Sequence, residues 1–165
     1  MKTKIAEVRN ALEKRLYYCA LALLLTLPDI CAKVEYPNSY TYGKNYTLWF
    51  DTHAKKYFTV IPITIPPRES EEYTWLTGEE CWKLRCAVLH AGNFKLNCKN
   101  SNLKKLFIHI SENNENRTHS WRNERCADID LKLLCDNICK AVEEYYEKHP
   151  NKELFCIDEV EICTW

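Results

Sequence analysis

Apolar residues recur every three or four positions over most of this chain, the spacing of one buried helix face. At the N-terminus this spacing predicts one amphipathic helix from about Lys4 to Leu27, with Pro28 as its stop or kink. The same spacing predicts a short helix over Tyr46–Phe58 and a long one ending near Lys148, capped by Asp128 or Asp130. The N-terminal stripe consists of Ile5, Val8, Leu12, Leu16, Cys19, Leu23 and Leu27.

The clearest helix start lies at Thr77-Gly78-Glu79-Glu80, which has the Thr-x-x-Glu spacing of a capping box. Apolar residues follow on two adjoining stripes, so this helix is expected to be buried. Gly92 favours the left-handed conformation that ends helices and therefore places His90 in the last turn. The two stripes are Cys81, Leu84, Val88 and Ala91, and Trp82, Cys86 and Leu89.

Strand signals are fewer. Leu103–Ile110 is typical of a strand, and the polar stretch Ser111–Arg125 is a loop or the far side of a hairpin. Thr59–Pro67 is expected to be extended, and Leu154–Trp165 is a candidate final strand. We therefore predict one mostly α domain over residues 1–165, with a small β-hairpin or strand insertion near 103–125.

Composition narrows the function classes. The chain has 23 Lys and Arg against 23 Asp and Glu, so any affinity for RNA must come from a local patch. Only three glycines are present, and neither dinucleotide-binding nor P-loop patterns occur. The composition favours a helical protein with packed aromatic residues.

The ten cysteines have two interpretations. One is a secreted, disulfide-linked interaction protein; the other, which we favour, is reduced thiols that pack as small apolar residues. Cys81, Cys86, Cys135 and Cys139 support the second, because they lie beside aliphatic residues in helical patterns. Cys135 and Cys139 have helical metal-ligand spacing, but no obvious second pair of ligands accompanies them.

The apolar run Leu16–Leu27 raises the question of a signal peptide. A long preceding segment with Glu7 and Glu13 argues against that interpretation, and the run is short for a bilayer span. We expect a cytoplasmic protein without a membrane segment.

The candidate chemistry lies at Arg85 and His90, five positions apart near a helix end. An imidazole titrates near neutral pH, and a guanidinium is a permanent cation that suits a phosphate. In a regular helix, five residues turn by about 500°, so the two side chains would point about 140° apart. The structural alternative is that Arg85 only pairs with a carboxylate, such as Asp29, while His90 only caps carbonyls.

Arg85-Cys86-Ala87-Val88-Leu89-His90, followed by Gly92, resembles the R-x4-6-H motif of the HEPN superfamily. The family commonly has Asn after the arginine, and this chain has Cys86 there. The resemblance covers about fifteen residues and a compatible helix-rich layout. It implies a HEPN-like helical bundle that forms a homodimer across the motif helices.

The resemblance also implies a metal-independent endoribonuclease of toxin or phage-defence type, in which the RNA 2′-hydroxyl attacks the phosphate. Arg85 and His90 would be catalytic, Asp29 and Cys86 supporting, and no cofactor would be needed. The expected partners are RNA and an antitoxin or regulatory protein. The alternative is a catalytically inactive HEPN-like module that binds or regulates another protein.

Possible RNA-contacting side chains form a second group. Cations and an aromatic residue alternate along the polar segment near the predicted hairpin, a combination that binds phosphates and stacks bases. A solvated loop is the simpler interpretation of the same residues. The group consists of Lys104, Lys105, Arg117, His119, Trp121, Arg122 and Arg125.

Overall fold

The protein is mostly helical, with two small sheets. The computed structural model describes residues 1–60, 73–93, 96, 103, 105–110, 121–123 and 125–155, with Trp121 described by its backbone alone. This agrees with the mostly α fold predicted from the sequence. The helices are α1 (Lys2–Glu13), α2 (Tyr17–Glu35), α3 (Tyr42–Trp49), α4 (Gly78–Cys86) and α5 (Leu131–Lys148).

The expected single N-terminal helix is wrong, because the chain forms two helices, α1 and α2, that pack against each other. Arg15, with φ of 57°, occupies the left-handed position after α1. The Arg15 N–H donates to Leu12 O, and the Leu16 N–H donates to Ala11 O, which is the Schellman pattern of helix ends. The turn interrupts the apolar spacing, so Leu16 and Cys19 are exposed instead of buried.

Pro28 does not stop α2, which continues to Glu35. A proline removes one backbone hydrogen bond from a helix interior. The residues on both sides of Pro28 are buried, including Leu24, Leu27 and Cys31. This burial of apolar surface outweighs the loss of one hydrogen bond.

Helical structure is continuous from Tyr42 to Phe58, four residues longer at its start than predicted. After α3, the chain widens into a first π turn, Phe50–Ala54, and then tightens into a 3₁₀ turn, Lys55–Phe58. A second π turn, Ala87–Ala91, follows α4. Neither π turn was predicted, since the 3.6-residue period does not mark a turn whose hydrogen bonds span five residues.

Two small sheets accompany the helices. Strands β1 (Thr59–Val60) and β2 (Tyr73–Thr74) form an antiparallel pair. Strands β3 (Lys105–His109), β4 (Trp121–Arg122) and β5 (Cys126–Asp130) form a sheet in the order β3-β5-β4.

Of the two predicted alternatives near residues 103–125, a β-hairpin or a strand insertion, the structure has the strand insertion, because β3 pairs in parallel with β5 and β4 pairs antiparallel with β5. Burial of alternate residues on β5, Ala127 and Ile129, explains its central place. The candidate final strand lies outside the described residues except for Leu154 and Phe155, which belong to a 3₁₀ turn, Glu153–Phe155.

The start of α5 agrees with the prediction, since the Asp130 side chain accepts from the Leu133 N–H. The N-terminal part of the chain packs on this C-terminal helix. The Arg9 guanidinium donates to both carboxylate oxygens of Glu143, at 2.6 and 3.0 Å. The apolar core is contributed by all five helices together with Leu106 of β3 and Ala127 of β5.

Candidate functional site

The helix that carries the Arg85 motif is fixed at its first turn. The Thr77 hydroxyl accepts from the Glu80 N–H, and the Glu80 carboxylate accepts from the Thr77 N–H, so the predicted capping box is present. Glu80 is fully buried and also pairs with Arg122, whose terminal nitrogens lie 2.6 and 2.7 Å from its two oxygens. A paired carboxylate at a helix N-terminus also interacts favourably with the helix dipole.

The second π turn brings Arg85 and His90 together. A regular helix would direct these side chains about 140° apart. In a π turn the hydrogen bonds span five residues, and the Gly92 N–H accordingly donates to Ala87 O. Residues five apart then lie on the same side, and Arg85 Nη1 is 2.8 Å from His90 Nε2. Gly92 ends the turn in the left-handed conformation, as predicted, with φ of 58°.

Arg85 is held by three neighbours on different elements. Its Nε donates to Asp29 Oδ2 of α2 at 2.9 Å, the pairing proposed from the sequence. Its guanidinium carbon lies 5.1 Å from the centre of the Trp82 ring, a cation–π contact. His90 is the third neighbour. The Nε of the guanidinium is therefore held by the Asp29 carboxylate, and Nη1 points to the His90 imidazole.

His90 is exposed, while the side chains of Arg85 and Asp29 are 20% and 26% exposed. An imidazole nitrogen that accepts from a guanidinium carries no proton, so the hydrogen bond selects the neutral tautomer with Nδ1 protonated. In that state the Nε2 lone pair is engaged by Arg85, and it can accept a proton from a ligand once the guanidinium has turned to another acceptor. The pair is therefore open to solvent and chemically suited to proton transfer beside a fixed cation.

Two further residues adjoin the pair. Burial raises the pKa of Asp29 above its usual value, and the Arg85 guanidinium partly offsets that rise. Burial likewise raises the pKa of Cys86, with Arg85 again opposing the shift. Cys86 therefore stays a neutral thiol at neutral pH.

The second π turn is supported from α2. The Tyr18 hydroxyl donates to the Val88 carbonyl oxygen at 2.9 Å, although the Tyr18 ring is 55% exposed. This bond satisfies a carbonyl near the helix end, where intrahelical partners run out.

The expected RNA-contacting residues do not form one patch in the part of the chain that is described. Lys105 is exposed on β3, and Arg125 is exposed just before β5. Arg122 is corrected from a surface contact to a structural residue, because its side chain is 14% exposed and both terminal nitrogens bind Glu80. Lys104, Arg117 and His119 lie outside the described residues, as does the Trp121 side chain.

Sequence reasoning missed a histidine–carboxylate pair. His53, in the first π turn, lies 2.8 Å from Glu35 through its Nε2. Its ring also packs against Trp49 and Tyr145. The aromatic positions Trp49, His53 and Tyr145 were visible in the sequence, but the turn that aligns them was not.

His109 and Asp128 form another pair that sequence reasoning missed. The His109 side chain is 33% exposed, and its Nδ1 lies 2.7 Å from Asp128 Oδ1. Parallel pairing of β3 and β5 brings them together, and that pairing was not predicted. Among the described residues, no three His, Cys, Asp or Glu side chains are grouped as metal ligands.

All seven described cysteines are free thiols, and four of them are buried: Cys31, Cys81, Cys135 and Cys139. Burial raises the pKa of Cys81 and of Cys139 to about 12. These thiols are therefore protonated and unreactive at neutral pH. Their packing agrees with the role as small apolar residues that the sequence favoured.

Comparisons with known proteins add no relatives. No protein-family model matches the sequence, and no curated protein or solved structure is similar to it. In the described part of the chain, α2 is long and apolar enough to cross a membrane by length and composition; 44% of its apolar window is buried inside the protein.

Proposed function

We propose that this protein is a metal-independent endoribonuclease in which His90 and Arg85 act on one phosphodiester of RNA. The observation that carries the proposal is the 2.8 Å contact between Arg85 Nη1 and His90 Nε2 at a solvent-exposed helix end. The resemblance of the motif to the HEPN superfamily points to the same chemistry.

The reaction follows from the groups present. A phosphate oxygen takes over the Arg85 Nη1 donor, which releases the lone pair of His90 Nε2. His90 then accepts the proton of the 2′-hydroxyl while that oxygen attacks phosphorus. The bond to the 5′-oxygen breaks, leaving a 2′,3′-cyclic phosphate and a 5′-hydroxyl. Arg85 stabilises the charge that develops on the phosphate oxygens.

Protonation of the departing 5′-oxygen needs an acid. In the homodimer that the family resemblance implies, the second copy of His90 supplies this proton from its imidazolium form, which it takes up from solvent once the phosphate has replaced its contact with Arg85. Asp29 is a positioning residue, because it fixes the guanidinium through Nε and leaves Nη1 directed at the reacting atoms. The toxin or phage-defence setting, the antitoxin partner and the cytoplasmic location follow from the sequence-based expectations alone.

The test is cleavage of single-stranded RNA by the purified protein, with and without EDTA, beside His90→Ala and Arg85→Ala. His53→Ala is the matched control, since His53 occupies the other π turn. We expect EDTA-resistant cleavage, 2′,3′-cyclic phosphate ends by mass spectrometry, and loss of activity only in the first two variants. An inactive wild type, or activity that survives in His90→Ala, would contradict the proposal.

A second candidate function is a non-catalytic module that binds or regulates a protein. Cys86 favours it, because a half-buried neutral thiol stands where active HEPN proteins commonly have Asn. A folded, dimeric wild type that does not cleave RNA, measured by light scattering and the same cleavage assay, would support this candidate.

A further inference from the structure

Beside the Arg85–His90 pair lies a shallow depression between α2 and the start of α3. Asp29 joins the two, since it lines the depression and also accepts from Arg85 Nε. The other side chains used here are Lys33, Ser39, Tyr42 and Asn45, which all line the depression. A nucleotide whose phosphate contacts Arg85 would therefore have its base or sugar above this surface.

The first turn of α3 is held close to the Arg85 site by a glycine. A Cβ added at Gly43 would lie 2.7 Å from Trp82 Nε1, so only glycine lets Trp82 pack against this turn. Trp82 in turn contacts the Arg85 guanidinium. The backbone of Tyr42, the residue before Gly43, is consequently held beside Trp82, and Tyr42 lines the depression while remaining 64% exposed.

Asn45 supplies a polar group to the lining of the depression. The residue is only 8% exposed, and its Oδ1 accepts from the hydroxyls of Ser39 and Thr41 at 3.0 and 3.3 Å. Among the described residues, the Asn45 amide nitrogen has no hydrogen-bond partner, and it is not fully sealed from solvent. Because this N–H reaches solvent and has no protein acceptor among the described residues, it is available to an acceptor on a ligand.

We infer that this depression is a nucleoside subsite for an unpaired base of single-stranded RNA, flanking the phosphate that Arg85 binds. The inference rests on the proposed ribonuclease function. The base stacks on the Tyr42 ring, and the Asn45 amide donates to an acceptor on the base edge. Exposed Lys33 contacts the neighbouring phosphate. Arg85 offsets the Asp29 charge, so the carboxylate does not repel the ligand.

A duplex does not fit this subsite, because paired bases present neither a free face for stacking nor a free edge. The subsite therefore selects loops, bulges and single strands. The same selectivity would keep the protein from cutting the stems of structured RNA.

The test measures binding without cleavage. The probe is a fluorescein-labelled, mixed-sequence 12-nucleotide RNA with 2′-O-methyl groups throughout, which lacks the attacking hydroxyl; its duplex is the second probe. Fluorescence anisotropy gives the Kd for wild type, Tyr42→Ala, Tyr42→Phe and Asn45→Asp. Tyr40→Ala is the matched control, since Tyr40 is 87% exposed and does not line the depression.

We expect Tyr42→Ala to raise the Kd for the single strand by about 5- to 150-fold, the usual range for one lost base–aromatic stack. Tyr42→Phe and Tyr40→Ala are expected to bind as wild type does. Asn45→Asp removes the amide donor while keeping the acceptor for Ser39 and Thr41, so it is also expected to bind more weakly. Circular dichroism of each variant checks that it is folded.

Equal losses in Tyr42→Ala and Tyr40→Ala, or equal affinity for the duplex, would overturn the subsite. Parallel assays on unmodified RNA separate this failure from that of the proposed function. Cleavage that needs His90 but not Tyr42 overturns the subsite alone. Tyr42-dependent binding without any cleavage overturns the nuclease alone.

Discussion

The two π turns have the same backbone hydrogen-bonding pattern, but different side chains surround their histidines. Each continues an α-helix for five residues, and each has histidine at the fourth position followed by alanine: His53-Ala54 in the first and His90-Ala91 in the second. Both histidines lie near a carboxylate of α2, Glu35 for the first and Asp29 for the second. The second histidine, however, reaches its carboxylate only through Arg85.

The surroundings assign different roles to the two imidazoles. His53 is enclosed by Trp49 and Tyr145, with ring centres at 5.3 and 4.7 Å, and its Nε2 is used by Glu35. His90 is exposed and bonded to an arginine. The comparison teaches that a π turn only aligns residues five apart, and that burial decides whether the aligned histidine is packed into the fold or faces solvent.

The largest expected effect is on catalysis. His90→Ala is expected to lower the rate of RNA cleavage by about 10²- to 10⁴-fold, the usual contribution of a general base. His53→Ala should cleave at the wild-type rate once corrected for the folded fraction. Initial rates on a single-stranded RNA measure both. Equal losses of cleavage rate in the two variants would show that the two histidines do not differ in their role in the reaction.

A second prediction concerns the Arg122–Glu80 pair, which holds the start of α4, the helix that leads into the second π turn. Arg122→Ala leaves the buried Glu80 carboxylate without its cation, and we expect the free energy of unfolding to fall by about 3–5 kcal/mol. Urea denaturation measures this change. Arg125→Ala is the control, because Arg125 is an exposed arginine three residues along, and its effect should stay within about 0.5 kcal/mol. A loss below 1 kcal/mol in Arg122→Ala would show that α4 does not depend on this pair.

The third prediction compares the effects of the two histidine substitutions on stability, where we expect the opposite order from their effects on cleavage. His53→Ala removes a ring packed between Trp49 and Tyr145, so we expect the protein to lose about 1–3 kcal/mol of stability. His90→Ala, at an exposed position, should change stability by no more than about 0.5 kcal/mol. Thermal unfolding followed by circular dichroism compares them. A larger loss of stability in His90→Ala than in His53→Ala would show that the structural histidine lies in the second π turn and not in the first.

The smallest effect is a pH dependence at Asp29. Burial raises its pKa in the folded state above the ordinary 3.8, so between these two values the folded protein binds more protons than the unfolded chain. Stability must then decrease as pH rises through that window. Asp29→Asn lacks this contribution, so the stability advantage of wild type over the variant should shrink with rising pH. An advantage that grows instead would mean that pairing with Arg85 dominates over burial.

Features that depend on a few adjacent residues were predictable from the sequence. Features that depend on a widened helical turn or on strand pairing were not. The Thr77 capping box, the Gly92 terminus and the Asp130 cap each depend on a few adjacent residues. The π turns, the Schellman turn at Arg15 and the parallel pairing of β3 with β5 have no local composition that marks them. The Arg85–Asp29 contact was predictable because a buried guanidinium needs a carboxylate; the His90 contact needed the widened turn.

The contact between the two ends of the chain has a consequence for protein synthesis. The apolar face of α2 is covered by α5, and Arg9 of α1 binds Glu143 near the end of α5. The ribosome makes 95 residues, 36 to 130, between the end of α2 and the start of this cover. During translation, the part of α2 that α5 covers therefore stays exposed, and chaperones that bind emerging chains are suited to shield this apolar surface until α5 leaves the exit tunnel.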